Sequence, residues 1–302
     1  MTRKIWILGF ACVVLLLMAG STPAGNHSET AVASLNENDP AAIAQAGITT
    51  RLGYKVGLLL DGLWYPSGIA VSKNGDSIYF GQGFNEYVYW HHAQKITPIE
   101  TPTNGLICFH VQGSLFIGDV DGNIYRIDGR NGVTWLGQDY YMDDVGDLDV
   151  DPQTGTIYFI TNYFEDSFQW AGLYKLRQNS STAVLLTSWT GAPSWGMALK
   201  GDYIYISDRN YGSIRRYHTL HGTWELVVDG ALNTPTDLCF DKQGNIFVTE
   251  TYVGSVARVK AGSGEIVRIA SGLQTPYYLA IDGSDILYVT DVEGGRIWKI
   301  RK

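Results

Sequence analysis

Two aspartates carry the clearest chemistry in this chain. Asp147 and Asp237 hold equivalent places at the heads of short apolar runs, where other copies carry Gly68, Gly196 and Tyr278. Asp143 and Asp144 lie just upstream of Asp147. Carboxylates converging on one point suit a hard divalent cation, since calcium takes several oxygen ligands. Asp147 and Asp237 are therefore candidate metal ligands, with Ca2+ a candidate cofactor. The bland alternative is that they cap strand ends or accept bonds from neighbouring backbone amides.

The elements that position them belong to a repeat. Thr234 to Lys260 reads TPTDLCFDKQGNIFVTETYVGSVARVK. It predicts a strand over Thr236 to Phe240, a turn at Asp241 to Gly244, a strand over Asn245 to Thr249, and a third over Ser255 to Val259. A fourth follows at Glu265 to Ile269. Short β-branched and aromatic runs punctuated by Gly and Asp are the pattern of an antiparallel meander. The second strand recurs as Ile78-Tyr79-Phe80, Leu115-Phe116-Ile117, Ile157-Tyr158-Phe159, Ile204-Tyr205-Ile206, Ile246-Phe247-Val248 and Leu287-Tyr288-Val289. Each leads to a polar residue: Gln82, Asp119, Thr161, Asp208, Glu250 or Asp291. A period of roughly 40 residues with four strands per unit specifies an all-β, six-bladed β-propeller of antiparallel blades.

The last copy ends after its third strand, and an apolar strand, Tyr54 to Leu60, precedes the first. That N-terminal strand should close the last blade and remove an exposed edge. The domain reading is a signal peptide over 1–24, a flexible tether over 25–48 and the propeller over 49–302. Arg3 and Lys4 followed by the apolar run Ile5 to Met18 form the signal pattern, and the run is too short to span a bilayer comfortably. The expected destination is secreted, periplasmic or otherwise extracytoplasmic, with no permanent membrane span.

Propeller geometry places the approaches to first strands and the turns between second and third strands on one face. That face collects Tyr65, Tyr140, Tyr141, Trp195, Tyr277 and Tyr278, with Asp119, Asp121, Asp208, Glu250, Asp291 and Glu293. A long insertion from Asn162 to Gly172 adds Tyr163, Phe164, Glu165, Asp166, Phe168 and Trp170. The candidate ligand-binding residues are Tyr65, Trp170, Trp195, Tyr277, Tyr278 and Glu250. Polar residues that recur once per blade are better explained as bonding their own turn. Tyr79, Tyr158, Tyr205 and Tyr288 are expected between blades.

Net charge is -8, and removal of the signal deletes two basic residues and no acid. That balance argues against nucleic acid and anionic membrane surfaces as partners. The expected partners are a small molecule, a sugar or a peptide or protein on the acidic, aromatic face of a monomer. Cys108 and Cys239 fall on opposite blades, too far apart to bridge, and are expected to be buried thiols. Of the six histidines, His91, His92, His110, His218 and His221 fall on the far face or its strands. The pit therefore has no imidazole base.

The pattern Pro-x-Asp/Gly-Leu/Ile-x-Phe/Val, then Gly-Asn-Ile-Phe-Val-Thr-Glu, then Gly-x-Val/Ile resembles the NHL-repeat family. It is similar as well to six-bladed gluconolactonases and senescence-marker lactonases, strictosidine-synthase-like proteins and streptogramin lyases. Pro235 to Val259, Pro276 to Ile300 and Pro66 to Tyr89 carry the match. The resemblance to the lactonases implies a divalent cation in the pit, held by a Glu near the first blade plus Asn and Asp from later blades. Here Ser67-Gly68 stands at the Glu position, while Asp147 and Asp237 match later ones. Streptogramin lyases use a pit histidine, and Glu250 matches a recurring acid of that family. The sequence favours a secreted, non-catalytic module that binds a ligand or partner; the alternative is a cation-dependent lactonase or related hydrolase.

Overall fold

A computed structural model describes residues 47–83, 87–93, 95–101, 105–111, 114–119, 121–128, 132–138, 144–165, 168–190 and 194–302. The signal-like segment, nearly all of the tether, Tyr140, Tyr141, Asp143 and Asp166 lie outside them. So do the side chains of Cys108, His110, Phe164, Glu165 and Phe168.

The described chain forms six antiparallel sheets arranged as a ring. Blade 1 runs through Pro66–Val71, Ser77–Gln82, Tyr87–His92 and Lys95–Glu100. Blade 2 uses Gly105–Val111, Ser114–Asp119, Asn123–Asp128 and Gly132–Gln138. Blade 3 uses Asp144–Val150, Ile157–Glu165, Phe168–Leu176 and Val184–Thr190. Blade 4 uses Met197–Lys200, Tyr203–Asp208, Ser213–His218 and Trp224–Val228. Blade 5 follows with Pro235–Phe240, Ile246–Glu250, Ser255–Val259 and Ile266–Ser271. Blade 6 takes Pro276–Ile281, Leu287–Asp291 and Arg296–Arg301 from the C-terminus, and Lys55–Leu60 from the N-terminus as its fourth strand.

The closing strand is the one expected. It pairs Lys55 with Arg301, Val56 with Ile300 and Leu58 with Trp298, antiparallel. One feature is additional. Thr49–Thr50 pairs with Ser271 and Ala270 as a fifth strand on blade 5, so the chain covers that edge before it closes blade 6. The insertion expected over Asn162 to Gly172 is not a loop. The second and third strands of blade 3 simply continue, with Tyr163 opposite Trp170, as a tall hairpin.

Buried apolar side chains of the described residues group into six clusters, one at each joint between neighbouring blades. Leu58, Trp298, Phe247 and Val256 fill the joint of blades 5 and 6. Phe80, Ile69 and Tyr288 fill the joint of 6 and 1, and Ile117 with Tyr79 the joint of 1 and 2. Phe159 and Leu148 serve the joint of 2 and 3, Ile204 with Tyr158 that of 3 and 4, and Tyr205 with Val248 that of 4 and 5. All four strand tyrosines therefore lie between blades, as the repeat predicted. The alternation along each strand serves both faces of a blade, so the core is the set of joints. One joint depends on a missing side chain. A Cβ on Gly196 would strike the backbone of Thr236 and Asp237, so glycine is what lets blade 4 seat against the strand carrying Asp237.

Because the ring closes through a single terminal strand, a cavity there should destabilise the whole domain. Leu58, 2% exposed, should cost about 2–5 kcal/mol as Leu58→Ala. Leu220, 74% exposed, should change stability by less than about 0.5 kcal/mol as Leu220→Ala. Urea unfolding followed by tryptophan fluorescence and circular dichroism should give coincident transitions in both variants.

Candidate functional site

The first strands of the blades surround a channel of about 280 Å³ lined by Asp147, Asp149, Met197, Asp237, Cys239 and Tyr278 among others. In five blades the strand is irregular at its head, between Ser67 and Ile69, Gly105 and Ile107, Val145 and Asp147, Pro235 and Leu238, and Pro276 and Leu279. Such bulges re-aim a side chain, and in blades 3 and 5 the re-aimed residue is an aspartate.

Each channel aspartate bridges two blades. Asp147 Oδ1 accepts from the Leu148 N–H at 2.8 Å, and its Oδ2 accepts from Met197 N–H of blade 4 at 2.7 Å. Asp237 does the same with Leu238 at 2.7 Å and Leu279 of blade 6 at 2.8 Å. Asp149, deeper in the run, accepts from Val150 at 2.6 Å and Leu199 of blade 4 at 2.8 Å. The backbone-bonding role foreseen for Asp147 and Asp237 is thus present, and it crosses between blades. Asp149 was not legible as a partner; its spacing of two from Asp147 along a strand was the available signal.

Burial acts against these carboxylates. It pushes Asp237 up from 3.8 to about 7, opposed by the two N–H bonds. Burial first, and then the charge of Asp237, hold Asp147 well above the ordinary value. Burial also pushes Asp149 to about 7. The charge of Asp237 raises Asp147, so the two carboxyls do not ionise independently. Tyr278, 6% exposed, sits within the field of Tyr277, Asp144, Asp147 and Asp237, and burial with those neighbours keeps its phenol protonated.

The mouth is built by hydroxyl and amide clamps. Asn162, 2% exposed, donates to the Ser194 carbonyl and accepts from the Ser194 N–H, both at 3.0 Å, which sets the approach carrying Trp195. Thr249 donates to the Tyr277 carbonyl at 2.6 Å and Thr251 to that of Pro276 at 2.9 Å. Ser207 donates to the Thr236 carbonyl at 2.7 Å, next to Asp237. Trp195 meets Tyr277 edge-to-face at 6.4 Å, and Tyr277 lies against Tyr278 at 4.9 Å. Arg209, 9% exposed, lies over the Tyr252 ring at 5.0 Å. It also bonds Tyr277, whose phenol burial pushes to about 12. Sequence reasoning missed Arg209 and Asn162.

The structure therefore gathers Trp195, Tyr277, Tyr278, Asp147 and Asp237. Tyr65, Trp170 and Glu250 are held in other surroundings. Tyr65 stands edge-to-face with Trp64 at 6.0 Å, and Trp170 leans on the joint of blades 2 and 3 beside Tyr163. Glu250 is fully buried. Its oxygens accept from Asn233 N–H at 2.8 Å, Ser255 Oγ at 2.6 Å and the Arg268 guanidinium at 2.8 Å. Among the recurring polar residues, Asp119 and Asp208 bond the turn of their own blade. Gln82 and Asp291 bond the segment approaching the first strand, through Trp64 and Thr275, and Glu250 does both, through Ser255 and Asn233. Cys239 is free and half-buried on the channel wall, not sealed in the core as expected.

No family model matches the chain, and no curated protein matches it. Solved structures do. A gluconolactonase from Xanthomonas campestris superposes with a TM-score of 0.70 at 15% identity, covering 89% of this chain and 96% of that one. The chain has the six-bladed fold of the gluconolactonase-like propellers. A calcium-binding protein, regucalcin, from Agrobacterium tumefaciens gives 0.64 at 14%, covering 78% and 90%. A streptogramin B lyase gives 0.60 at 14%, covering 82% and 97%. At these identities the likeness is one of fold. Among the described residues no helix is long and apolar enough to cross a membrane.

The raised aspartates give stability a defined pH dependence. Asp237 has a folded pKa above its unfolded one, so its contribution is full below about 3.8 and is lost as pH rises through about 7. Calorimetry should show Tm falling across that window, with a smaller fall in Asp237→Asn. An identical fall in both proteins would mean that Asp237 is not the titrating group.

Proposed function

We propose that the protein hydrolyses a small lactone at the channel mouth, with Asp147 and Asp237 as the reacting acid–base pair. The observation that carries this reading is the pair of buried aspartates on one channel wall, of which burial pushes Asp237 up to about 7. A base poised near working pH is the most effective one. The fold likeness to gluconolactonases supports the same reading. In it, ionised Asp237 takes a proton from water as that water attacks the lactone carbonyl. The ring C–O bond then breaks, and Asp147, kept protonated by burial and by the charge of Asp237, gives its proton to the departing alkoxide. Tyr278 remains a neutral phenol and a hydrogen-bond donor beside them.

A divalent cation fits the pair on charge, because two buried carboxylates that repel one another are relieved by it. Among the described residues no three His, Cys, Asp or Glu side chains group tightly enough to hold a metal. Asp147 and Asp237 would therefore hold an ion that keeps several waters, as Mg2+ commonly does. With an ion bound both carboxylates would be ionised, so it would polarise the carbonyl as a Lewis acid in place of the proton exchange between Asp147 and Asp237. The place of the lactonase Glu is taken by Ser67-Gly68.

A second reading is a non-catalytic module that holds a sugar or a peptide. The aromatic mouth of Trp195 and Tyr277 favours it, since amphipathic rings suit such ligands. Export follows in either reading from the signal-like first 24 residues, with the channel working outside the cytoplasm.

Two measurements decide. In thermal unfolding after EDTA, one of Ca2+, Mg2+, Mn2+ or Zn2+ at 100 times its Kd should stabilise the chain by about 2.7 kcal/mol. The shift should be lost in Asp237→Asn. Turnover of aldonolactones at pH 8 should fall by about 100-fold or more in the same variant. Equal turnover in Asp237→Asn would end the hydrolase reading. Saturable sugar binding without turnover would favour the binding module.

A further inference from the structure

A buried cation stands on the blade face that carries Trp195 and Tyr277. Arg209 follows the second strand of blade 4 and is 9% exposed. Its guanidinium covers the Tyr252 ring of blade 5 at 5.0 Å and bonds Tyr277 of blade 6. Tyr277 in turn meets Trp195 edge-to-face at 6.4 Å. Three blades thus converge on one guanidinium, and the rings hold it in place. The acid beside it in sequence, Asp208, is committed to Arg215 at 2.9 Å and to the Tyr211 N–H at 3.2 Å. Asp144 is the carboxylate whose charge also reaches Tyr277.

We propose that Arg209 is a specificity residue for a negatively charged substrate: a lactone or sugar acid bearing a carboxylate away from the reacting carbonyl. This rests on the hydrolase reading for the reaction, though not for the binding. A guanidinium offers a planar fork of five donors that matches a carboxylate, and it keeps its charge at every working pH. Its burial among rings strengthens that interaction relative to water. A small anion with one apolar ring face meets Tyr252 and Trp195 by stacking and Arg209 by charge.

The probes are D-glucarate, D-gluconate and uncharged D-glucitol, read by thermal shift and titration calorimetry on the full chain. Glucarate should raise Tm more than glucitol, and its affinity should fall with salt. In Arg209→Met its Kd should rise at least about 10-fold, equivalent to 1.4 kcal/mol. Arg209→Lys should fall between, keeping the charge and losing the fork. If the enzyme turns over lactones, Arg209→Met should raise KM for a carboxylated lactone by a larger factor than for a neutral one. Glucarate binding that depends on Arg209 in a chain without lactone turnover would support this inference and refute the hydrolase reading. Lactone turnover with the same anionic preference in wild type and Arg209→Met would do the reverse. Equal wild-type shifts with glucarate and glucitol would overturn the inference without any variant.

Discussion

The constraint behind this architecture is the inner edge of each blade. A first strand pairs with the second strand of its own blade and has no ladder partner on the channel side. Its N–H groups on that edge still need acceptors. Six of them are satisfied by three aspartates: Leu148, Val150 and Leu238 within the strand, and Met197, Leu199 and Leu279 in the next blade. Apolar clusters fill the joints, but they are non-directional and leave these donors unmet. The carboxylates therefore fix the relative height of neighbouring strands where packing alone would allow sliding.

That duty also gives the channel its chemistry. Two N–H bonds per carboxylate favour the charged form, and burial favours the neutral one. The balance falls near neutrality for Asp149 and Asp237, while burial and the field of Asp237 hold Asp147 well above the ordinary carboxylate value. Asp76 shows the contrast. Exposed at a turn and bonded by Ser72, it stays below the ordinary carboxylate value. Residue type does not decide which acids can react. Position on the blade does.

Much of the fold was legible because its signals are periodic. The alternating runs, the roughly 40-residue period and the orphan apolar strand before Pro66 suffice for six blades and a terminal closure. Asp147 and Asp237 could be found because bulged strand heads align between copies. Glu250 could not be separated from them by sequence, since an acid at the end of a second strand looks equally available. Its partners Asn233 and Arg268 are far from it in the chain. Arg209 had no periodic counterpart and was invisible for that reason. Asn162 was hidden in what reads as an irregular insertion, though it lies on a regular strand.

Clamp and catalyst place opposite demands on one side chain, and the geometry reconciles them. An ionised carboxylate has about four lone-pair sites over two oxygens. In Asp237 one site on each oxygen is taken by Leu238 and Leu279. A proton arriving at the group must occupy a remaining site, so neither backbone bond has to break when it titrates. Asp147 is bonded in the same way by Leu148 and Met197. Protonation and the blade-to-blade bond are therefore compatible, and a channel aspartate can exchange a proton without releasing its neighbour. A histidine at the same place could not do this, because its ring nitrogens accept at one site and cannot bridge two N–H groups.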